Sequence, residues 1–338
     1  MEIKESIGKA MRSESLTENE AHQAASAIMK GEATGAQIAA LLVALRMKGE
    51  TEDEITGFAR AMREAATPVR CRRDGLVDTC GTGGDRSGTF NVSTLAALAA
   101  AGAGCRVAKH GNRSVSSQCG SADLFSALGV KIDAPPEAVS ACIDANGIGF
   151  LFAPALHPAM KHAIGPRREI GVRTLFNILG PLTNPAGARR QLIGVFDGAM
   201  TETVAGVLKK LGSEHVLVVH GEDGLDEITL TGPTSVTELK DGRIRSFKVR
   251  PEDFGLTRAS RDSLIGGDAE ANAAIAMDVL KGKKGAARDM VLLNGGAVAY
   301  VAGVAPSIAD GIRMAAESID SGRALEKLEC MKRISGGA

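Results

Sequence analysis

Residues 78–94 read Asp-Thr-Cys-Gly-Thr-Gly-Gly-Asp-Arg-Ser-Gly-Thr-Phe-Asn-Val-Ser-Thr. Gly81, Gly83 and Gly84 follow directly on a short apolar run, Gly75 to Val77, and a helix-like pattern begins at Ser93. Glycine accepts positive φ and lets a ligand approach main-chain N–H groups closely. Those N–H groups, with the positive end of the following helix, suit a phosphate or pyrophosphate. The plainer alternative is an ordinary strand-to-helix connection. No Gly-Lys-Ser/Thr closes the loop, so it is not a P-loop, and the Gly-x-Gly-x-x-Gly dinucleotide fingerprint is absent. The expected ligand is therefore a phosphorylated small molecule other than ATP or NAD.

Three further clusters carry chemistry. Val107 to Ser121 follows a strand-like run and offers the donors Lys109, Asn112, Arg113, Ser114, Ser116, Ser117 and Ser121, punctuated by Gly111 and Gly120. A cationic, hydroxyl-rich loop at a strand's C-terminal end fits an anion; the alternative is a solvated loop. Gly165 to Pro185 contains Arg167, Arg168 and Arg173. Arg167 could hold a carboxylate through two parallel bonds, or all three could be surface charges. The acidic pair Asp226 and Glu227 follows the apolar run Val216 to Val219. Such a pair can ligate Mg2+, which takes carboxylate, water and phosphate oxygens; acidic turns are otherwise merely solvated.

Elements must position these clusters. Capping boxes at Thr17/Glu20, Thr34/Gln37 and Thr51/Glu54 each precede an apolar-periodic segment, so the first seventy residues are expected to be helical. Ile38, Leu41, Leu42 and Leu45 share one helical face, as do Ile55, Phe58, Ala59 and Met62. From residue 75, strand-like runs (Leu76–Thr79, Cys105–Ala108, Gln191–Val195, His215–Val219) alternate with Ala-rich helices. That rhythm predicts an α/β fold with a parallel, helix-flanked sheet. Asp241-Gly242 predicts a hairpin within 235–249. The expected division is a helical domain over 1–70, to which 156–185 returns or for which it forms the hinge, and an α/β domain over 75–155 and 186–338.

Composition narrows the function. Among 338 residues, 40 Lys plus Arg balance 40 Asp plus Glu, which argues against a broad nucleic-acid surface. One Tyr, nine Phe and no Trp leave little for stacking single-stranded bases. None of the six cysteines forms a Cys-x-x-Cys pair, so zinc is not expected. The N-terminus lacks an apolar signal core and no apolar run spans a bilayer. A cytoplasmic protein with free thiols, off the membrane, is the expectation.

Taken together, Gly81-Thr-Gly-Gly-Asp85, Asn91-Val-Ser-Thr94, Lys109-His-Gly-Asn-Arg113, Gly165-Pro-Arg-Arg168, Asn177-Ile-Leu-Gly-Pro-Leu-Thr-Asn-Pro185 and Asp226-Glu227 resemble the anthranilate phosphoribosyltransferases over essentially the whole chain. Phe196 stands where that family would lead one to expect Tyr. The resemblance implies a small helical domain and a larger α/β domain with the active site in the cleft between them. It also implies a homodimer through the helical domain. The substrates would be anthranilate and phosphoribosyl pyrophosphate (PRPP), with Mg2+ as cofactor at two ions per active site. By resemblance, PRPP would be held by Gly81, Gly84, Asp85, Thr89, Asn91, Val92, Ser93 and Thr94. Lys109, His110, Gly111, Asn112, Arg113, Ser114, Val115, Ser116, Ser117 and Ser121 would complete that site. Gly81, Asn112 and Arg167 would contact anthranilate, and Ser93, Asp226 and Glu227 would organise the metal. His110 and His157 could flank the aromatic ring, tune the amine's hydrogen bonding or be structural, and no general base is assigned. The Gly-Thr-Gly-Gly piece also looks like part of the pyrimidine nucleoside phosphorylases, whose further signature is not found here. A nucleic-acid-binding relative on the same fold is the non-enzymatic rival, and it should show a basic stripe.

Overall fold

The computed structural model describes residues 2–85, 87–114 and 118–336. Four helices come first: α1 (Ile3–Met11), α2 (Glu18–Lys30), α3 (Gly35–Lys48) and α4 (Glu52–Glu64). Thr17, Thr34 and Thr51 cap the last three, each accepting from the backbone N–H three residues on, with the Glu or Gln side chain there returning to the cap N–H. Each such cap contributes about 1 kcal/mol. The two predicted apolar faces are buried, from Ile38 to Leu45 and from Ile55 to Met62.

The remainder begins β1 (Leu76–Gly81), α5 (Val92–Gly102), β2 (Arg106–Gly111), α6 (Ser121–Ala127), α7 (Pro136–Ala141) and β3 (Ile148–Phe152). Then come α8 (Ala153–Leu156), α9 (Lys161–Ile170), α10 (Phe176–Leu182), β4 (Arg190–Gly194), α11 (Thr201–Lys210) and β5 (His215–Gly221). The hairpin β6 (Thr234–Lys240) and β7 (Arg243–Val249) precedes α12 (Ala269–Leu280), α13 (Ala286–Ala302), α14 (Ile308–Asp320) and α15 (Arg323–Ser335). Positive φ at Asp241 and Gly242 makes the tight turn that their sequence predicts.

The seven strands form one sheet in the order β3-β2-β1-β4-β5-β6-β7. The first five run parallel, and the hairpin adds an antiparallel edge. Numerical order reverses between β1 and β4, and in such sheets ligands bind beyond the strands' C-terminal ends at that switch point. On one face α5, Ala-rich and buried almost all round, packs against α13, α14 and α15. On the other face β4, β5 and α11 share a core with the N-terminal helices. Helix α9 packs on α2 and α3, and α10 on α4, where Phe58 and Phe176 meet edge to face at 5.9 Å.

Candidate active site

Gly81 ends β1, Gly194 ends β4, and the two are paired neighbours in the sheet. Both lie under Asp226, which the chain delivers after β5. A Cβ on Gly81 would stand 2.3 Å from Asp226 Oδ2, and one on Gly194 would stand 1.6 Å from the Asp226 carbonyl oxygen. Glycine at both ends is what lets the acidic turn lie flat on the sheet edge. The Gly83 N–H then donates to Asp226 Oδ2 at 2.8 Å. Gly83 and Gly84 both take positive φ, as the sequence of the loop requires.

Behind the loop Lys109 is buried, and its Nζ donates to the Thr79 carbonyl at 2.8 Å and to Ser93 Oγ at 3.1 Å. The Ser93 backbone N–H supports Glu227. Ser93, Lys109, Asp226 and Glu227 therefore meet across the switch point, with Asp85 close enough to Asp226 to repel it. Burial, then the neighbouring Asp85 charge, lifts Asp226 to about 6; burial and Asp226 raise Glu227 well above the carboxylate range. Burial lowers Lys109 against the pull of Asp78. Such crowding of anions fits a bound cation. Among the described residues no three of His, Cys, Asp or Glu converge closely enough to hold a metal ion by themselves, so a metal here would draw largely on water and substrate oxygens.

Helix α5 starts one residue before the expected Ser93, at Val92. Asn91 makes no side-chain cap; its Oδ1 accepts instead from Thr94 Oγ1 at 2.5 Å, and Nδ2 reaches the Cys119 carbonyl at 3.5 Å. Thr89 pairs with Ile265 in an isolated antiparallel bridge. In the loop after β2, Asp123 accepts from Ser114 N–H at 2.9 Å, Gly120 N–H at 3.0 Å and Arg113 at 2.8 Å. Ser121 Oγ reaches the Asn112 carbonyl at 3.4 Å, and only a glycine at 111 leaves it room, since a Cβ there would come within 2.1 Å. Val115, Ser116 and Ser117 lie outside the described residues.

The three residues expected at the aromatic substrate come from different elements: Gly81 from β1, Asn112 from beyond β2 and Arg167 from α9. No hydrogen bond joins them among the described residues. The Arg167 guanidinium sits over the Phe176 ring, 5.1 Å from its centre, and no carboxylate pairs with it among the described residues. Burial lowers its pKa. His110 and His157 form a buried pair with ring centres 5.1 Å apart. His110 Nδ1 donates to the Gly180 carbonyl at 3.1 Å, while His110 Nε2 and both nitrogens of His157 lack a hydrogen-bond partner among the described residues. Burial, with repulsion from its neighbour, lowers His110 to about 3. Burial lowers His157 to about 4, against an opposing pull from the Thr183 backbone.

Three residues here escaped the reading of motifs. Arg173, one of the three arginines left open as surface charges, donates to the Gly84 carbonyl and lies 4.1 Å over the Phe196 ring. Asp78, buried, accepts the His110 N–H at 3.0 Å. Gly194 shares the bed of Asp226. Asp78 opens the quoted motif and Arg173 follows Arg168 closely, so proximity to the motifs was the available signal. Gly194 carried none.

Known proteins resemble this chain throughout. Residues 4–66 match the helical bundle domain of the glycosyl transferase family, and residues 73–325 match the family's a/b domain. An anthranilate phosphoribosyltransferase from Moorella thermoacetica is 57% identical over 329 residues, covering 97% of both chains. The crystal structure of the Thermus thermophilus anthranilate phosphoribosyltransferase superposes with a TM-score of 0.93 at 48% identity, covering 98% of this chain and 99% of that one. The Saccharomyces cerevisiae anthranilate phosphoribosyltransferase, solved in complex with PRPP and Mg, gives 0.90 at 28% identity, covering 99% and 98%. With sequence, fold and paired domain models in agreement over nearly its full length, this chain belongs to the anthranilate phosphoribosyltransferases of the glycosyl transferase family.

Proposed function

We propose that the family's reaction takes place beyond the C-terminal ends of β1, β2, β4 and β5. That reaction transfers the phosphoribosyl group from PRPP to the amine of anthranilate, releasing pyrophosphate, and is the second step of tryptophan biosynthesis from anthranilate. The observation that carries the placement is the glycine bed of Gly81 and Gly194 under Asp226, beside an α5 N-terminus whose own N-cap residue, Asn91, makes no side-chain cap. Backbone N–H groups there, with Gly84, Asp85, Thr89 and Asn91 to Thr94, hold the pyrophosphate end of PRPP. The loop Lys109 to Ser114, continuing to Ser121, completes the phosphate and ribose contacts. Lys109 acts from beneath, through Ser93 and the Thr79 carbonyl.

Asp226, Glu227 and Ser93 hold Mg2+, two ions per site in our reading, with Asp85 the further carboxylate at hand. Bound metal neutralises the charge growing on the departing pyrophosphate. The bond from C1 of the ribose to pyrophosphate breaks through a cation-like sugar, so fixing the leaving group is the main catalytic task. The anthranilate amine, uncharged at neutral pH, forms the new bond to C1 as the bond to pyrophosphate breaks, and one N–H proton passes to solvent. Arg167, half-buried without an acidic partner, pairs with the carboxylate and aims the amine. Neutral His110 and His157 border the aromatic ring; His110 Nε2 and both His157 nitrogens have no hydrogen-bond partner among the described residues.

Assembly as a homodimer fits the surface of the first helices. An apolar groove lined by Ala10, Met11, Ala39, Val43 and Met47 lies open, with Met11 and Met47 strongly exposed. A second copy of this chain is its occupant in our reading, and sedimentation velocity should find a species of twice the chain's mass. The cytoplasm is the proposed compartment; no helix among the described residues is long and apolar enough to cross a membrane. The decisive assay follows anthranilate fluorescence with purified protein, PRPP and Mg2+. Decay requiring all three supports the proposal. No decay from folded protein rejects it and turns attention to phosphorolysis of pyrimidine nucleosides.

A further inference from the structure

We infer that Asn272 and Asn294, two asparagines inside the Ala-rich helices α12 and α13, are positioning residues that separately set the phosphate-binding segment and the acidic metal-binding turn. The inference rests on the site reading above. Each side chain is buried, at 2% and 0% exposure, where an unbonded amide would be costly. Each is instead bonded through its oxygen and through its NH2, which donates twice, to loop backbone and to the carbonyl four residues back along its own helix. Asn272 Oδ1 accepts the Asn91 N–H at 2.9 Å, while its Nδ2 donates to the carbonyls of Gly267 at 2.8 Å and Asp268 at 2.9 Å. Asn294 Oδ1 accepts the Ile228 N–H at 3.0 Å, and its Nδ2 donates to the carbonyls of Ile228 at 2.9 Å and Met290 at 3.0 Å.

The placement gives these bonds their meaning. Asn91 immediately precedes α5, and its own side chain is turned toward Thr94 and Cys119. Its backbone is therefore held from outside. Asn272 is one holder and the strap 264–267 is the other: Phe90 N–H donates to the Leu264 carbonyl at 3.0 Å and Gly266 N–H to the Gly88 carbonyl at 2.9 Å. The strap lies so close that a Cβ on Gly266 would stand 2.7 Å from the Phe90 Cα. On the other side, Ile228 follows Glu227 directly and lies in no strand. Asn294 engages both its N–H and its C=O, as a neighbouring strand would. Two carboxylates that repel one another are thus carried on a turn pinned at the next residue. One asparagine serves each half of the site.

The test is a crossed pair of signatures. At saturating Mg2+, Asn272→Ala should raise the KM for PRPP about tenfold and weaken calorimetric binding of PRPP by the same factor, with the KM for anthranilate unchanged. Asn294→Ala should weaken Mn2+ binding to the pyrophosphate-loaded protein about tenfold, read as free Mn2+ by electron paramagnetic resonance, a size typical of lost support to metal ligands. Its KM for anthranilate should again stay put. If either alanine variant fails to fold, Asn272→Ser and Asn294→Ser, which bring no charge into the buried site and can bond the carbonyl four residues back, should show the same pattern. Variants that shift every constant alike, or that lower only the unfolding midpoint, overturn the inference. Wild-type protein that binds neither PRPP nor Mn2+-pyrophosphate overturns the site reading beneath it.

Discussion

Acid should weaken this fold through one pair of rings. His110 and His157 are held near 3 and 4 against an ordinary 6.5, so both stay neutral in the folded protein at pH 5. The unfolded chain takes up protons on both as the pH falls below 6.5. Their contribution is therefore fully present above pH 6.5 and is lost progressively as the pH falls to about 4 for His157 and about 3 for His110. At pH 5, about 1.5 pH units below the unfolded value, the loss is about 2 kcal/mol for each ring, or roughly 4 for the pair, at ~1.36 kcal/mol per unit. Asp226 and Glu227 act in the opposite sense, because their raised values let the folded state bind protons first. The difference between wild type and a variant isolates the histidines. His110→Asn keeps a donor for the Gly180 carbonyl, and His157→Phe keeps an aromatic ring in the buried pair. Urea unfolding followed by circular dichroism at pH 7 and pH 5 should show wild type losing about 4 kcal/mol more than the double variant. An equal pH dependence in the two proteins refutes the reasoning, as would ring proton resonances of the pair titrating near pH 6.5.

Other outcomes follow from the site. Arg167→Ala should raise the KM for anthranilate about 10–100-fold, the worth of a charge-assisted pair, and an unchanged value in steady-state kinetics rejects the carboxylate role. Asp226→Asn with Glu227→Gln should abolish turnover with the circular dichroism spectrum intact; retained activity with normal Mg2+ dependence rejects the metal assignment. Gly194→Ala should cost about 1–3 kcal/mol in urea unfolding, because the methyl group meets backbone rather than a movable side chain, and should depress turnover by displacing Asp226. Wild-type stability and turnover would show that the acidic turn does not rest on that glycine.

What the sequence discloses depends on how locally the cause acts. The capping boxes at Thr17, Thr34 and Thr51 are closed within four residues, and the Asp241-Gly242 turn within two, so both are legible and both form. Strand β3 was not singled out: Ile148-Gly-Phe-Leu-Phe152 is short, uniformly apolar and followed at once by Ala153-Pro, a pattern strand and helix share. Motif residues announced the loops, and Ser93, Lys109, Asp226 and Glu227 indeed gather. Their supports were silent. Asn272 meets Asn91 across 181 positions, and Arg173 meets Gly84 across 89. An asparagine in an Ala-rich helix, or a third arginine after two others, has no local signature of such a partner.

The split packing of the first helices has a consequence for synthesis. Arg63, at the end of α4, donates to the Leu182 carbonyl 119 positions on and to the Leu211 carbonyl 148 positions on. Phe58 packs on Phe176 in the same late segment. At roughly 5–20 residues per second, a ribosome leaves α4 waiting about 6–30 s for these partners. During that interval the nascent chain displays an apolar face and an arginine without its carbonyls. A fragment ending near residue 66 stays permanently at that stage, and should be the part of this protein most dependent on chaperones.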